Sequence, residues 1–253
     1  MIAALLLGRK GSVGFPGKNL MPVLGKPLSY YPMRAALDSE FVDEVYISTD
    51  DEKLMELAKE NMVEVIVRPP ELCTKEALGE DAFVHGYHVV KDLNQKEEIE
   101  FMVLLFCNAV TVTSKIIDQG IEILRKDSTL DSAVTVSRYN MWGPLRARKI
   151  DGNGLLKPFI PFEKFGDPKT LNCDRDSQGD VWFADMGVSI VRPRCLENLE
   201  NGLLPQKWMG QKIYPLKQWG GLDVDYEWQI PQVAYWLKKH GYTETGTMEG
   251  TEG

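Results

Sequence analysis

Met1 to Leu7 is an unbroken apolar run, and Gly8 to Asn19 directly after it holds four glycines (Gly8, Gly11, Gly14, Gly17), Pro16 and three cations, Arg9, Lys10 and Lys18. A continuous apolar run of strand length reads as a strand buried on both faces, the kind found in α/β proteins. The glycines let the loop after it fold tightly with its N–H groups turned inward, and the cations add full charges to those partial ones. Such a loop suits a polyphosphate; the alternative is a basic surface loop behind a buried strand. Spacing rules out two standard phosphate loops. A Walker A loop needs glycine five residues before its Gly-Lys pair and Ser or Thr after it, and those places hold Ser12 and Asn19. The dinucleotide fingerprint needs a Gly-x-Gly start, which is absent. As a phosphate binder, the loop then reads as one of a third kind.

Strand and helix signals alternate through the first half. Leu28 to Leu37 reads as a helix, Val42 to Ser48 as a strand, and Asp50 or Asp51 caps a helix with Leu54, Leu57 and Ala58 on one face. Val63 to Val67 is a short strand, 76–92 a helix, Phe101 to Phe106 a strand, and Ser114 the N-cap of the next helix. Ser132 to Val136 is a further strand. Alternation of this kind gives a mostly parallel, doubly wound sheet, with ligands at the carboxyl ends of its strands. The glycine loop, Ser48 to Asp50, Arg68 and the stretch after Phe106 then share one rim. Residues 139–181 change character: they are rich in Pro, Gly and Asp and carry Trp142, Phe159, Phe162 and Phe165, which suggests an arm with a dimer contact. Trp182 to Val191 returns as a strand. A last helix runs from near Tyr226 to His240, with Ile230, Val233, Ala234 and Leu237 facing inward and Pro231 delaying or kinking its start. The expected organisation is a single domain over 1–242, with 139–181 as an inserted arm and 243–253 as a polar tail.

With 43% hydrophobic and 26% charged residues the chain is an ordinary globular sequence. No apolar run approaches the ~20 residues that span a bilayer, and the first run is too short and too bare of preceding cations for a signal peptide. A net charge of −8 argues against nucleic-acid binding and for a small anion at the local basic loop. Cys73, Cys107, Cys173 and Cys195 are far apart and form no C-x-x-C pair, so neither a zinc cage nor a thioredoxin-type site is indicated. Reduced thiols in a cytoplasmic protein account for them. His85 and His88 lie three apart on a helix but have no third ligand, which favours a structural role.

Two late carboxylates complete the picture. Asp223 and Asp225 either cap the last helix or hold a metal, and magnesium tolerates waters in the positions they leave.

The motif Arg9-x-Gly11-Ser12-x-Gly14-x-Pro16-x-Lys18-Asn19 is followed by Pro22-x-x-Gly25-Lys26-Pro27-Leu28, then by Ser48-Thr49-Asp50-Asp51, Arg68-Pro69-x-Glu71-Leu72 and Asp223-Val224-Asp225-Tyr226-Glu227-Trp228. In this order, over most of its length, the chain resembles the acylneuraminate cytidylyltransferase family, which includes CMP-sialic acid synthetases and, more distantly, the Kdo cytidylyltransferases. The resemblance implies a nucleotide-diphospho-sugar transferase-like α/β fold, a homodimer joined by a protruding middle segment, and the use of CTP and Mg²⁺ to make a CMP-activated sugar acid and pyrophosphate. It implies catalytic roles for Arg9, Lys18 and Asp225, and nucleotide contacts from Gly11, Ser12, Asn19, Arg68 and the backbone near Ala77. It implies that Asp223 and Asp225 hold the metal.

Two segments depart from the family. Where the sialic-acid enzymes carry Gln-Pro-Thr-Ser-Pro after the fourth strand, this chain has Phe106-Cys107-Asn108-Ala109-Val110-Thr111, and where they carry Phe-Arg-Pro-Asn-Gly it has Phe183-Ala184-Asp185-Met186-Gly187. Asn108, Arg146, Arg175 and Asp185 are therefore the acceptor-binding candidates, the two arginines through bidentate bonds to a carboxylate or phosphonate, or else as salt-bridged arm residues. The expected partners are CTP and a small anionic acceptor, a nonulosonate or other 3-deoxy-2-keto sugar acid. The alternatives are a phosphonate acceptor and a non-catalytic nucleotide binder.

Overall fold

The computed structural model describes residues 1–11 and 14–248. The strands in chain order are β1 (Ile2–Leu7), β2 (Pro22–Val23), β3 (Lys26–Pro27), β4 (Glu44–Thr49), β5 (Glu64–Val67), β6 (Phe101–Phe106), β7 (Ser132–Arg138), β8 (Arg148–Ile150), β9 (Leu156–Pro158), β10 (Trp182–Val191) and β11 (Ile213–Gln218). The α-helices are α1 (Tyr30–Leu37), α2 (Glu52–Glu60), α3 (Gly79–Leu93), α4 (Ser114–Lys126), α5 (Pro193–Glu197) and α6 (Ile230–Lys239). Seven strands form one sheet in the order β11-β7-β10-β6-β1-β4-β5, parallel except for β10, which runs against both its neighbours. The mixed α/β fold with a mostly parallel sheet is the one the alternating pattern gives.

β1 explains its own apolar run. Ile2, Ala4 and Leu6 are buried with α1, α2 and α4 on one face, and Ala3, Leu5 and Leu7 with α3 and α5 on the other. Every position is therefore a core position, and alternation has no polar face to mark. Close approach sets two helix glycines: a Cβ on Gly86 of α3 would lie 2.5 Å from Leu5 Cδ2, and one on Gly120 of α4 would lie 2.4 Å from Ile190 Cδ1. A third cluster joins α6 to the start of α1 through Val233, Trp236, Leu237, Leu28 and Tyr31, and it includes Phe15 and Val224 from the two loops that will matter most.

Some boundaries differ from the sequence reading. Thr113, not Ser114, caps α4, its hydroxyl accepting the Ile116 N–H at 3.3 Å; both residues are good caps, and the backbone turns one residue earlier. α3 begins at Gly79 rather than 76. Pro231 does delay the last helix: a 3₁₀ turn, Glu227–Gln229, precedes α6. Its buried face is Val233, Trp236 and Leu237, with Ile230 and Ala234 half-buried. The strand β11 and the short α5 have no counterpart in the sequence reading. Residues 139–181 hold the β8–β9 hairpin and single 3₁₀ turns. Of the polar tail, Thr243 to Met248 folds back on itself, Thr243 N–H donating to Thr247 O at 2.8 Å.

Candidate active site

β1, β4, β5 and β6 all end on one edge of the sheet, and a cavity of ≈ 380 Å³ opens there. The backbone at its floor must pass close: a Cβ on Gly8 would lie 2.7 Å from Cys107 Sγ and 2.8 Å from Leu54 Cδ1. Around this floor stand Arg9, Lys18, Asn19, Arg68, Asn108, Asp223 and Asp225, with the backbone at Ala77 on the wall. Residues up to 218 positions apart in sequence, Leu7 and Asp225, thus share one cavity, at the place where open α/β sheets bind ligands.

The cations are not equivalent. Lys18 Nζ pairs with Asp225 Oδ1 at 2.5 Å from a 3₁₀ turn whose preceding residue, Gly17, has φ +73°. That left-handed backbone favours glycine. Arg9 donates to Thr74 O at 2.7 Å and Cys73 O at 3.4 Å, tying the loop to the stretch after β5. Lys10, the third cation of the loop, turns away: its N–H meets Asp50 and its Nζ pairs with Glu52 at 2.9 Å. Arg68 is buried, donating from Nε to Ser48 Oγ at 3.2 Å and from Nη2 to Ser48 O at 2.5 Å, and its burial pulls its pKa down. Asn19 is buried and its amide faces Arg9 O at 3.4 Å. The Ala77 N–H is taken by Thr74 Oγ1 at 3.2 Å.

The two aspartates flank Val224, whose side chain is fully buried. With the middle residue turned into the core, Asp223 and Asp225 on either side of it both line the same cavity, as alternate positions of an irregular but non-helical segment do. Burial first, and then the like charge of Asp225, push the Asp223 carboxyl above its ordinary value, while Lys18 opposes them. Among the described residues no group of three or more His, Cys, Asp or Glu could hold a metal alone. Two carboxylates fit a hard divalent cation that draws its remaining ligands from phosphate and water.

The other sequence candidates lie elsewhere. Gly11 has φ +78° and does not line the cavity; Ser12 lies outside the described residues. Arg146 donates to Cys173 O at 2.5 Å and Arg175 pairs with Asp176 at 3.3 Å. Both line a separate cavity of ≈ 790 Å³ within 140–182, so one chain does not gather them with the aspartates. Asp185 is buried and bonded to Ser137, Gln218 and Gly187. The sequence reading has Phe106 as the start of the departing segment but not as a contact, and it does not single out Gly79. Phe106 lies on the wall, and Gly79 opens α3 there with no side chain capping the first N–H groups of the helix. The glycine itself was the available signal.

The fold is shared with nucleotidyltransferases. A CMP:2-keto-3-deoxy-manno-octonic acid synthetase structure, complexed with CTP, superposes with a TM-score of 0.63 at 16% identity over 94% of this chain and 99% of that one. A 4-diphosphocytidyl-2C-methyl-D-erythritol synthase from Anaerococcus prevotii gives 0.62 at 11% identity over 94% and 96%. Residues 3–141 match the family model described as cytidylyltransferase, and the chain belongs to that family. Among curated relatives, the N-acylneuraminate cytidylyltransferase A of Danio rerio is 28% identical over 95% of this chain and 52% of that protein. The N-acylneuraminate cytidylyltransferase of Oncorhynchus mykiss is 25% identical over 91% and 49%. That of Streptococcus agalactiae serotype III is 34% identical over 40% and 24%. The chain thus spans about half the length, or less, of these relatives. Among the described residues no helix is long and apolar enough to cross a membrane.

Proposed function

We propose that this chain transfers CMP from CTP to an acidic sugar, a nonulosonate or related 3-deoxy-2-keto acid, and releases pyrophosphate. The observation that carries the reading is the pairing of Lys18 with Asp225 across one cavity that also holds Arg9, Arg68, Asn19 and Asp223. The acceptor oxygen forms a bond to the α-phosphorus as the bond from that phosphorus to the β-phosphate oxygen breaks. The acceptor proton leaves to solvent. Charge gathers on the leaving pyrophosphate, and fixed cations near it lower the barrier.

Lys18 and Arg9 take the triphosphate, Lys18 exchanging its carboxylate partner for phosphate oxygens. Arg68 and the backbone near Ala77 read the base, and Asn19 lies by the nucleoside. Asp223 and Asp225 would hold Mg²⁺, which would supply positive charge beside the phosphates and the acceptor hydroxyl. Asn108 stands between this group and the acceptor.

The arm joins two copies. Trp142, Ile150, Leu156 and Phe159 are exposed on it, an apolar set of the kind that marks an interface. Arg146 and Arg175 then read the acceptor's carboxylate from a cavity that each chain cannot complete alone.

Pyrophosphate release from CTP over a panel of sugar acids and phosphonates tests the reading. Release with a keto sugar acid supports it; release only with a phosphonate moves the acceptor class. Tight CTP binding without release by any acceptor overturns it. Asp225→Asn is expected to lower kcat at least about tenfold, roughly 1.4 kcal/mol of barrier.

A further inference from the structure

The segment from Gly221 to Asp225 lies outside any helix or strand, yet it presents both carboxylates of the cavity. Something else must hold its backbone. The Gly221 N–H donates to Ser137 Oγ at 2.9 Å, and the Tyr139 hydroxyl donates to Gly221 O at 2.9 Å. The Leu222 N–H donates to Thr111 Oγ1 at 3.0 Å. Asn108 holds Val224 on both sides, accepting its N–H at 2.9 Å and donating from Nδ2 to its carbonyl at 3.0 Å.

Behind Ser137 sits a carboxylate that does not line the ≈ 380 Å³ cavity. Asp185 is 4% exposed. Its Oδ2 accepts from Ser137 Oγ at 2.7 Å and from Gln218 Nε2 at 2.9 Å, and its Oδ1 accepts the Gly187 N–H at 3.1 Å. Gln218 Nε2 also reaches Thr111 O at 3.0 Å. The approach to the segment is close: a Cβ on Gly221 would lie 2.1 Å from Asp185 Oδ2. Asp185 arrives there because β10 and β7 lose register between Ala184 and Ser189, and because Met186 takes φ +61°. A side chain other than glycine persists in that backbone region only where its surroundings over-determine it.

A serine hydroxyl has one proton to give and two lone pairs. Asp185 takes the Ser137 proton, which leaves the hydroxyl oxygen to accept from Gly221. We infer that Asp185 is a positioning residue: acting through Ser137, it fixes Gly221 and so the stand of Asp223 and Asp225 in the cavity. This rests on the proposed use of those two aspartates, and it gives Asp185 a place behind the site rather than against an acceptor. A neutral isostere fails in this position. The amide of an Asp185→Asn variant offers a single acceptor oxygen to three donors, so one N–H or O–H always meets an NH₂ group.

The test is native-state amide hydrogen exchange on the protein without ligand, beside steady-state kinetics. In Asp185→Asn, exchange at Gly221, Leu222 and Val224 is expected to quicken about tenfold or more, with β1 and β6 amides unchanged. Ser137→Ala, which keeps the carboxylate, is expected to give the same pattern. In both, kcat falls at least about tenfold while the KM for CTP stays within about twofold. Gly221→Ala, which crowds the carboxylate, is expected to cost turnover in the native background and far less beside Asp185→Ala, a coupling that loss of stability alone does not produce. Unchanged exchange over 221–224 in both Asp185→Asn and Ser137→Ala overturns the anchor. Faster exchange with kcat intact overturns its role in transfer. If the native protein turns over no acceptor while the exchange pattern holds, the anchor stands and the transfer reading is the part that falls.

Discussion

Lys18 Nζ lies 2.5 Å from Asp225 Oδ1, joining the glycine loop near the start of the chain to the aspartate segment near its end. The lysine side chain is 13% exposed and the aspartate 54%. The ammonium thus neutralises the cavity's acidic edge from a fixed, half-enclosed place. An incoming polyphosphate would compete with Asp225 for it and leave the carboxylate to a divalent cation.

Lys18→Met is therefore expected to weaken CTP binding at least about tenfold, or ~1.4 kcal/mol, in titration calorimetry. The melting temperature should barely move, since a pair so open on one side contributes at most ~1 kcal/mol to stability. A large drop in melting temperature with unchanged affinity would make Lys18 a structural residue.

Burial pushes the Cys107 thiol up to about 12 and Cys195 up to about 11, whereas Cys173 is exposed. Alkylation at pH 8 is expected to label Cys173 first and to leave Cys107 and Cys195 until the protein unfolds, read by mass spectrometry. The folded values lie above the unfolded ones, so the stability these thiols contribute is complete below about pH 8.5 and is lost as pH climbs toward 11–12. Urea midpoints measured from pH 8 to 10.5 should fall, and less so in Cys195→Ala.

Gly120→Ala would set a methyl 2.4 Å from Ile190 Cδ1 and 2.9 Å from Leu216 Cδ1. Overpacking of this kind costs about 1–3 kcal/mol. Urea denaturation should show that loss, with CTP affinity unchanged because the contact faces the sheet's core and not the cavity.

Ile150 and Leu156 face each other as partners in the β8–β9 hairpin and are both largely exposed. If this surface joins two copies, replacing both with aspartate should convert a dimer to a monomer in sedimentation velocity at unchanged circular dichroism. A native protein that sediments as a monomer would remove the dimer from the proposal.

Much of the fold could be read in advance because its strands are buried. Phe101–Phe106 and Trp182–Val191 end at the residues the apolar pattern marks. β11 has little apolar signal because it is an edge strand, bonded among the described strands to β7 alone, where Pro215 and Lys217 are tolerated. Trp236 also belongs to the buried face of α6, two residues beyond Ala234, which lies on the apolar stripe in sequence but is only half-buried.

The residues alone determined the buried parallel strands, the glycine loop at the end of β1 and the aspartate pair before α6, because each is set by local backbone and burial rules. The roles of the charged groups were decided only in three dimensions. Lys10 and Lys18 stand in the same loop, but one turns to Glu52 and the other to Asp225. Asp185 is an acceptor candidate in sequence; in the fold it is buried, where Ser137 and Gln218 reach it from β7 and β11. Partners contributed by strands distant in sequence set where a charge points, and spacing along the chain does not encode them.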